Sequence, residues 1–113
     1  MQNTREHYRI VYPVSARPVL RLRGKNFYIA DISEQGLRFI YDLKHKAFGE
    51  GSRINAELIF QDGETLCVKG TVLRHQEDSI IVNLEEPIPL RKIMSEQIYL
   101  LNKYPDHFRE KSA

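Results

Sequence analysis

The chain has 113 residues, which is enough for one domain with a single hydrophobic core. Its 17 lysines and arginines against 15 aspartates and glutamates leave a net charge of only +2, so bulk charge does not indicate a nucleic-acid-binding protein. A single cysteine, Cys67, excludes an internal disulfide and a multi-cysteine metal cluster, and it fits a reducing compartment. The polar first residues and the lack of an apolar run near 20 residues predict a cytoplasmic protein without signal peptide or membrane span.

After a polar N-terminal segment, the middle of the chain alternates between apolar and polar residues, which is typical of half-buried β-strands. Gly24-Lys25-Asn26 predicts a turn that joins the first two strands into a hairpin, and Asp62-Gly63 predicts another turn further on. Residues 42–52 are mostly polar, contain two glycines and are predicted to form a loop. The six predicted strands span residues 17–24, 26–32, 36–41, 53–60, 65–75 and 78–84.

The C-terminal part of the chain changes to a helical period. Apolar residues recur there at three- and four-residue steps and predict one amphipathic helix: Leu90, Ile93, Met94, Ile98 and Leu101. Pro89 suits the first turn of this helix, and Pro105 ends it near Tyr104. These elements predict a small antiparallel barrel or sandwich, mainly β, with the helix covering an open end or face. The single domain divides into a flexible arginine-bearing segment (1–12), the β-structure (17–84), the helix (89–104) and a frayed tail (105–113).

Two short motifs carry candidate functional residues. Arg5 and Arg9 lie four residues apart in REHYR, before the first strand; an arginine pair near a terminus is usually solvated and by itself indicates no function. In DISEQG, Asp31 and Ser33 are two residues apart and project to the same side of an extended backbone. Gly36 allows a positive φ or a close backbone approach. Taken alone, DISEQG indicates a well-capped turn between two strands.

Together, and in this order, the two motifs resemble those of the PilZ domain family. The matching residues are Arg5 and Arg9 before the first strand, and Asp31, Ser33 and Gly36 between two strands. The predicted strand order and closing helix also agree with that family, so the resemblance covers about residues 4–104. It implies a six- to seven-stranded antiparallel β-barrel with a C-terminal α-helix, and a bacterial receptor for the second messenger cyclic di-GMP.

The resemblance implies that these five residues bind cyclic di-GMP. Guanidinium groups suit its two phosphates, the O6 and N7 atoms of guanine, and stacking on purine faces. The Asp31 carboxylate would accept from guanine N1–H and N2–H₂, Ser33 would contact the base edge or hold the turn, and Gly36 would let the ligand approach the backbone. Binding would order the arginine-bearing segment and so alter a surface that regulates a partner protein in motility, adhesion, biofilm formation or secretion.

Four further residues are weaker candidates for ligand contact. Many family members carry arginine where this chain has Thr4, and the difference favours one bound ligand molecule over an intercalated pair. His7 lies within REHYR, and Arg38, two residues beyond Gly36, is within reach of a phosphate; a solvated position is the favoured interpretation of both residues. Arg74 belongs to a strand that in the family runs near the ligand face, where members often place a side chain that packs on a guanine; an exposed strand arginine without a function explains it equally well.

Neither a metal site, a cofactor nor an enzyme activity is predicted, because the histidines are scattered and no catalytic Cys–His set is implied. Two alternative functions stay open. One is a ligand-independent PilZ-like protein-interaction module in type IV pilus assembly, although such proteins usually lack the arginines and the Asp-x-Ser pair. The other is a small barrel that binds single-stranded nucleic acid, against which Phe27, Phe39 and Phe60 fall on predicted inward faces.

Overall fold

The computed structural model describes residues 9–41 and 48–107. Within these residues the chain forms seven β-strands, a short 3₁₀ turn at Val14–Ala16 and the α-helix Leu90–Lys103, and residues 105–107 are again helical. None of the described segments forms a helix that is both long and apolar enough to cross a membrane. The elements are β1 (Ile10–Val11), β2 (Val19–Leu22), β3 (Lys25–Ile32), β4 (Gly36–Ile40), β5 (Arg53–Ile59), β6 (Thr65–Gln76), β7 (Ser79–Leu84) and α1 (Leu90–Lys103).

Six of the strands close into an antiparallel barrel. Their order around the ring is β3-β2-β5-β6-β7-β4, and β4 pairs again with β3 to complete it. The two-residue strand β1 adds to the end of β3, so that the last residues of β3 pair with both β1 and β4. The predicted fold class is confirmed, and the architecture is the barrel rather than the sandwich.

The predicted hairpin between the first two barrel strands is present, but its turn lies one residue earlier than expected. Leu22 pairs with Lys25, which leaves Arg23 and Gly24 as the two turn residues. Both have positive φ, 54° and 78°, as a tight hairpin turn that follows the strand twist requires. Glycine adopts this conformation without strain, and the Arg23 guanidinium lies over the ring of Phe48, 5.2 Å from its centroid.

The core follows from the alternation along the strands. The inward-facing apolar residues of each barrel strand are buried, and at one end of the barrel Phe39, Tyr41 and Phe48 pack edge to face, with Phe27 partly buried against them. The centroids of the Tyr41 and Phe48 rings are 5.2 Å apart, within the range of favourable aromatic pairs. These rings therefore contribute to the core and not to an exposed stacking surface.

Gly70 is required where β6 packs against β7. A Cβ atom at this position would lie 2.4 Å from the Asn83 carbonyl oxygen and 2.8 Å from Val82 Cγ1. We expect Gly70→Ala to lower the free energy of unfolding by about 1–3 kcal/mol, because a backbone atom of a paired strand has to move. Gly49→Ala is the matched control, since its nearest atom would be Ser52 Oγ at 3.8 Å. Chemical denaturation of both variants tests this, and equal midpoints would contradict the packing argument.

The C-terminal helix is present, but its buried face is not its apolar stripe. Of the five apolar residues that predict the helix, Ile93 alone is buried. Leu90, Met94, Ile98 and Leu101 are exposed. The face that packs on the barrel instead contains two polar residues together with two apolar ones: Lys92, Ile93, Glu96 and Leu100. Burial of a lysine and a glutamate is stable only if each has a partner of opposite charge.

Lys92 has such partners on the β5–β6 turn and on its own helix. Its Nζ lies 2.8 Å from Asp62 Oδ2, 3.0 Å from Glu64 Oε1 and 3.6 Å from Glu96 Oε2, and 4.3 Å from the centroid of the Phe60 ring. Burial by itself lowers the pKa of Lys92, but the hydrogen bonds to Asp62 and Glu64 outweigh burial and raise it. The same hydrogen bond from Lys92 lowers the pKa of Asp62.

The helix is also tied to the N-terminal strand. The Tyr12 hydroxyl, directly after β1, donates to Glu96 Oε1 at 2.6 Å. Burial, followed by this hydrogen bond to a carboxylate, raises the pKa of Tyr12 far above its usual range. Beyond α1, a ring nitrogen of His107 lies 2.9 Å from the carbonyl oxygen of Val11. The segment that follows Arg9 is therefore fixed at two points, once to α1 and once to the residues beyond it.

Candidate ligand-binding site

A β-bulge in β3 directs Asp31 away from the core. Ile29 pairs with Phe39 and Asp31 pairs with Arg38, so Ala30 is an extra residue in β3. Without the bulge, strict alternation would place Asp31 on the same side as Ile29, inside the barrel. With it, Ile29 and Ile32 both stay buried while Asp31 lines a cleft on the outer wall.

The Asp31 carboxylate contacts two arginines, one on the neighbouring strand β4 and one directly before β1. Arg38 on β4 donates through Nε to Asp31 Oδ2 at 2.8 Å, as a cross-strand pair. Arg9, two residues before the direct neighbour Val11, lies on the same side of the N-terminal segment and brings Nη2 to 3.3 Å from the same oxygen. The Arg38 side chain is 24% exposed and the Arg9 side chain 62%, so Arg38 belongs to the wall of the cleft and Arg9 to its rim.

The turn after Asp31 is closed by its own backbone. The Ser33 N–H donates to the Gly36 carbonyl oxygen at 2.8 Å, and the Ser33 hydroxyl lies 3.4 Å from the same oxygen. Gly36 does not have a positive φ; a Cβ atom there would lie 2.8 Å from the carbonyl oxygen of Val82 on β7. The Leu84 N–H also donates to the Gln35 carbonyl oxygen at 2.8 Å. Ser33 and Gly36 therefore hold the turn tightly against β7, at the edge of the cleft.

A second bulge, in β6, forms the opposite wall. Val72 pairs with Val82 and Arg74 pairs with Ile81, which leaves Leu73 as the extra residue. Leu73 and Arg74 are both exposed, and both line the cleft. An apolar and a cationic side chain thus stand next to each other on this wall, a combination that suits the face of a heterocyclic base.

The cleft between these walls has a volume of about 590 Å³ and is open to solvent. Three arginines line it against one carboxylate, which favours an anionic ligand that also offers hydrogen-bond donors. The lining residues are Arg9, Asp31, Ser33, Gln35, Gly36, Leu37, Arg38, Leu73, Arg74, Gln76, Ile81, Val82 and Asn83.

Most of the candidate site residues meet at this cleft. Those that line it are Arg9, Asp31, Ser33, Gly36, Arg38 and Arg74. Thr4, Arg5 and His7 lie outside the described residues. Sequence reasoning missed Leu73, Gln35, Gln76 and Asn83, which belong to no motif and reach the cleft only through strand register and the bulge in β6. Across residues 9–41 and 48–107, no group of histidine, cysteine and carboxylate side chains is arranged to hold a metal ion.

The structure is a small barrel domain with an arginine-lined cleft on its outer wall. The chain belongs to the PilZ family: the family model described as PilZ domain matches residues 3–98. PilZ domains are cyclic di-GMP receptors, binding domains rather than catalytic ones. A search of the curated proteins found no match to the chain.

Proposed function

We propose that this chain binds cyclic di-GMP by clamping it between Arg5 and Arg9 on one side and Asp31, Ser33 and Gly36 on the other. The observation that carries the proposal is the approach of Arg9 to Asp31. An arginine from the segment before the barrel and a carboxylate from a barrel bulge reach the same cleft, with 3.3 Å between Nη2 and Oδ2.

The charges of the cleft match the ligand. Cyclic di-GMP is a dianion with two guanine edges, so it needs cationic groups for its phosphates and an acceptor for its N1–H and N2–H₂ groups. Arg9 and Arg74 supply the cationic groups, and Asp31, ion-paired with Arg38, supplies the acceptor. The ion pair between Arg9 and Asp31 has an exposed partner and contributes little, so a phosphate can displace it without a large loss.

The size of the cleft supports a ligand of this class. Its volume of about 590 Å³ lies within the range of sites that bind nucleotide-sized molecules. Leu73 and Arg74 offer a surface for one purine face, and the turn closed by Ser33 and Gly36 holds the opposite edge of the cleft. Two of the low-ranked candidates, Arg38 and Arg74, thereby enter the proposed site.

The proposed output is a changed surface that regulates a partner protein in motility, adhesion, biofilm formation or secretion. The contacts after Arg9 support such an output, because β1 leads directly into Tyr12, and Tyr12 donates a hydrogen bond to Glu96 of α1. A movement of Arg9 toward a bound ligand would strain this connection, so the position of the N-terminal segment and that of the helix are linked.

Calorimetric titration tests the proposal. We expect cyclic di-GMP to bind with one molecule per chain, and GTP and cyclic di-AMP to bind much more weakly. Cyclic di-AMP keeps both phosphates but lacks the guanine edge, so it separates the role of the carboxylate from simple charge attraction. An Arg5→Ala/Arg9→Ala variant is expected to bind cyclic di-GMP at least about tenfold more weakly, because two charged donors to phosphate are lost.

Two results would contradict the proposal. Unchanged affinity of the double variant for cyclic di-GMP would show that Arg5 and Arg9 do not hold the ligand. No binding of cyclic di-GMP by the wild-type protein would remove the receptor function and favour the ligand-independent interaction module. Salt-dependent binding of an oligonucleotide, without any response to cyclic di-GMP, would favour a single-stranded nucleic-acid-binding barrel instead.

A further inference from the structure

We infer that Arg38 is a positioning residue that confers guanine specificity by fixing the Asp31 carboxylate, without itself binding the ligand. This inference rests on the proposed function and assigns within it a role to a residue of the cleft wall. The two arginines that contact Asp31 then differ in role. Arg9 would contact the ligand, and Arg38 would hold the Asp31 carboxylate that recognises the guanine edge.

The first argument is the choice of oxygen. Arg38 Nε and Arg9 Nη2 both contact Asp31 Oδ2, at 2.8 Å and 3.3 Å. Asp31 lines the cleft although its side chain is only 8% exposed, so the carboxylate has little freedom to turn. With Oδ2 held by the arginines, Oδ1 is the oxygen assigned to the donors of the ligand. A carboxylate fixed in this way accepts a hydrogen bond without a further loss of side-chain entropy.

The second argument is that Arg38 is itself held at its far end. Its Nη1 lies 3.5 Å from Ser79 Oγ, a long hydrogen bond. Ser79 is fully buried, and its hydroxyl donates to the Gln76 carbonyl oxygen at 2.8 Å. The guanidinium therefore spans from β3 to the start of β7. Arg9 is 62% exposed and contacts Asp31 through a single atom pair, so it is the arginine better able to move toward a phosphate.

The third argument concerns chemistry. Guanine presents N1–H and N2–H₂ on one edge, and Asp31 Oδ1 accepts from these donors only when the carboxylate is turned so that this oxygen faces the base edge. A lysine in place of Arg38 would keep the charge but could not contact Asp31 and Ser79 at once with a planar group. The position thus requires arginine for its geometry, beyond its charge.

The test compares cyclic di-GMP with its inosine analogue, which lacks only the N2 amino group on each base. In the wild-type protein we expect the guanine ligand to bind more tightly. In Arg38→Met we expect affinity for cyclic di-GMP to fall about tenfold and affinity for the inosine analogue to fall much less, so that discrimination shrinks. Arg38→Lys should behave like Arg38→Met, and Ser79→Ala should show a smaller change of the same kind.

The test has one control variant and several outcomes that would contradict the role of Arg38. Arg91→Met removes an exposed arginine of α1 that does not line the cleft, and it should change neither affinity. If Arg38→Met weakens both ligands by the same factor, Arg38 contacts phosphate and the inference is wrong. Equal wild-type affinities for the two ligands would also overturn it, while the receptor function would stand. Failure of the wild-type protein to bind either ligand would remove the proposed function itself. Should Arg38→Met unfold, Arg38→Lys and Ser79→Ala carry the test.

Discussion

Asp31→Ala is expected to weaken cyclic di-GMP binding about a hundredfold, because the variant leaves the N1–H and N2–H₂ donors of a guanine edge without their acceptor inside the cleft. The loss should be specific to guanine. Weak binding of cyclic di-AMP, which depends on the arginines, should stay the same or rise, since removal of the carboxylate releases Arg9 and Arg38 from their ion pairs.

Calorimetry with both ligands measures this loss, and Glu57→Ala is the matched control. Glu57 lies on β5, outside the cleft lining, and its Oε1 is 3.8 Å from Arg21 Nη1. Glu57→Ala therefore also removes a carboxylate that is paired with an arginine. Thermal unfolding of Asp31→Ala shows whether the barrel persists when Arg38 lacks its carboxylate. An affinity for cyclic di-GMP close to that of the wild-type protein, in a folded variant, would exclude Asp31 as the guanine acceptor.

The motif residues could be predicted from the sequence because turn chemistry is local. Asp31, Ser33 and Gly36 lie within six residues, and both the hydrogen bond from Ser33 to Gly36 and the lack of a side chain at Gly36 serve the turn that their residue types predict. The roles of Arg38 and Leu73 could not be predicted in the same way. Each depends on a bulge that shifts one strand by a residue against its neighbour, and such a shift is a property of two strands together.

The helix illustrates the opposite case, in which a correct local pattern gives the wrong face. The apolar period of α1 does predict a helix, but the barrel offers Asp62, Glu64 and Tyr12 at the position where the helix packs. Lys92 and Glu96 match these partners, and the apolar stripe consequently stays exposed. Periodicity counts apolar residues and contains no information about which polar groups another element presents.

The polar partners of α1 lead to a second large expected effect. Lys92→Met should lower the free energy of unfolding by about 3–5 kcal/mol, because it leaves the buried Glu96 carboxylate without its cation. Lys92 is 1% exposed, so water cannot replace the lost charge. The neighbouring Arg91→Met, which removes an exposed arginine 3.9 Å from Glu64, is the matched control and should change stability by less than about 0.5 kcal/mol.

A double variant separates loss of packing from loss of charge balance. Glu96→Gln keeps an acceptor for the Tyr12 hydroxyl but removes the negative charge, so Lys92→Met/Glu96→Gln should recover much of the stability that Lys92→Met loses. Urea unfolding of the wild-type protein, both single variants and the double variant gives the interaction free energy. Additive losses would show that the stabilisation by Lys92 does not depend on the charge of Glu96 and comes from its other contacts, with Asp62, Glu64 and the Phe60 ring.

The dependence of the free energy of unfolding on alkaline pH also tests the contacts of Lys92 and Tyr12. The pKa values of Lys92 and Tyr12 are both raised in the folded state, Lys92 because its carboxylate partners outweigh burial and Tyr12 through burial and Glu96. The folded state therefore holds these protons more tightly, so the contribution of Lys92 and Tyr12 to the free energy of unfolding should be constant below about pH 10 and fall as the pH rises further. Tyr12→Phe and Lys92→Met should each make this fall less steep, as urea unfolding across the alkaline range would measure. If neither substitution changes the fall in the free energy of unfolding at alkaline pH, that fall arises from other groups. Only the double variant would then test the charge balance of α1.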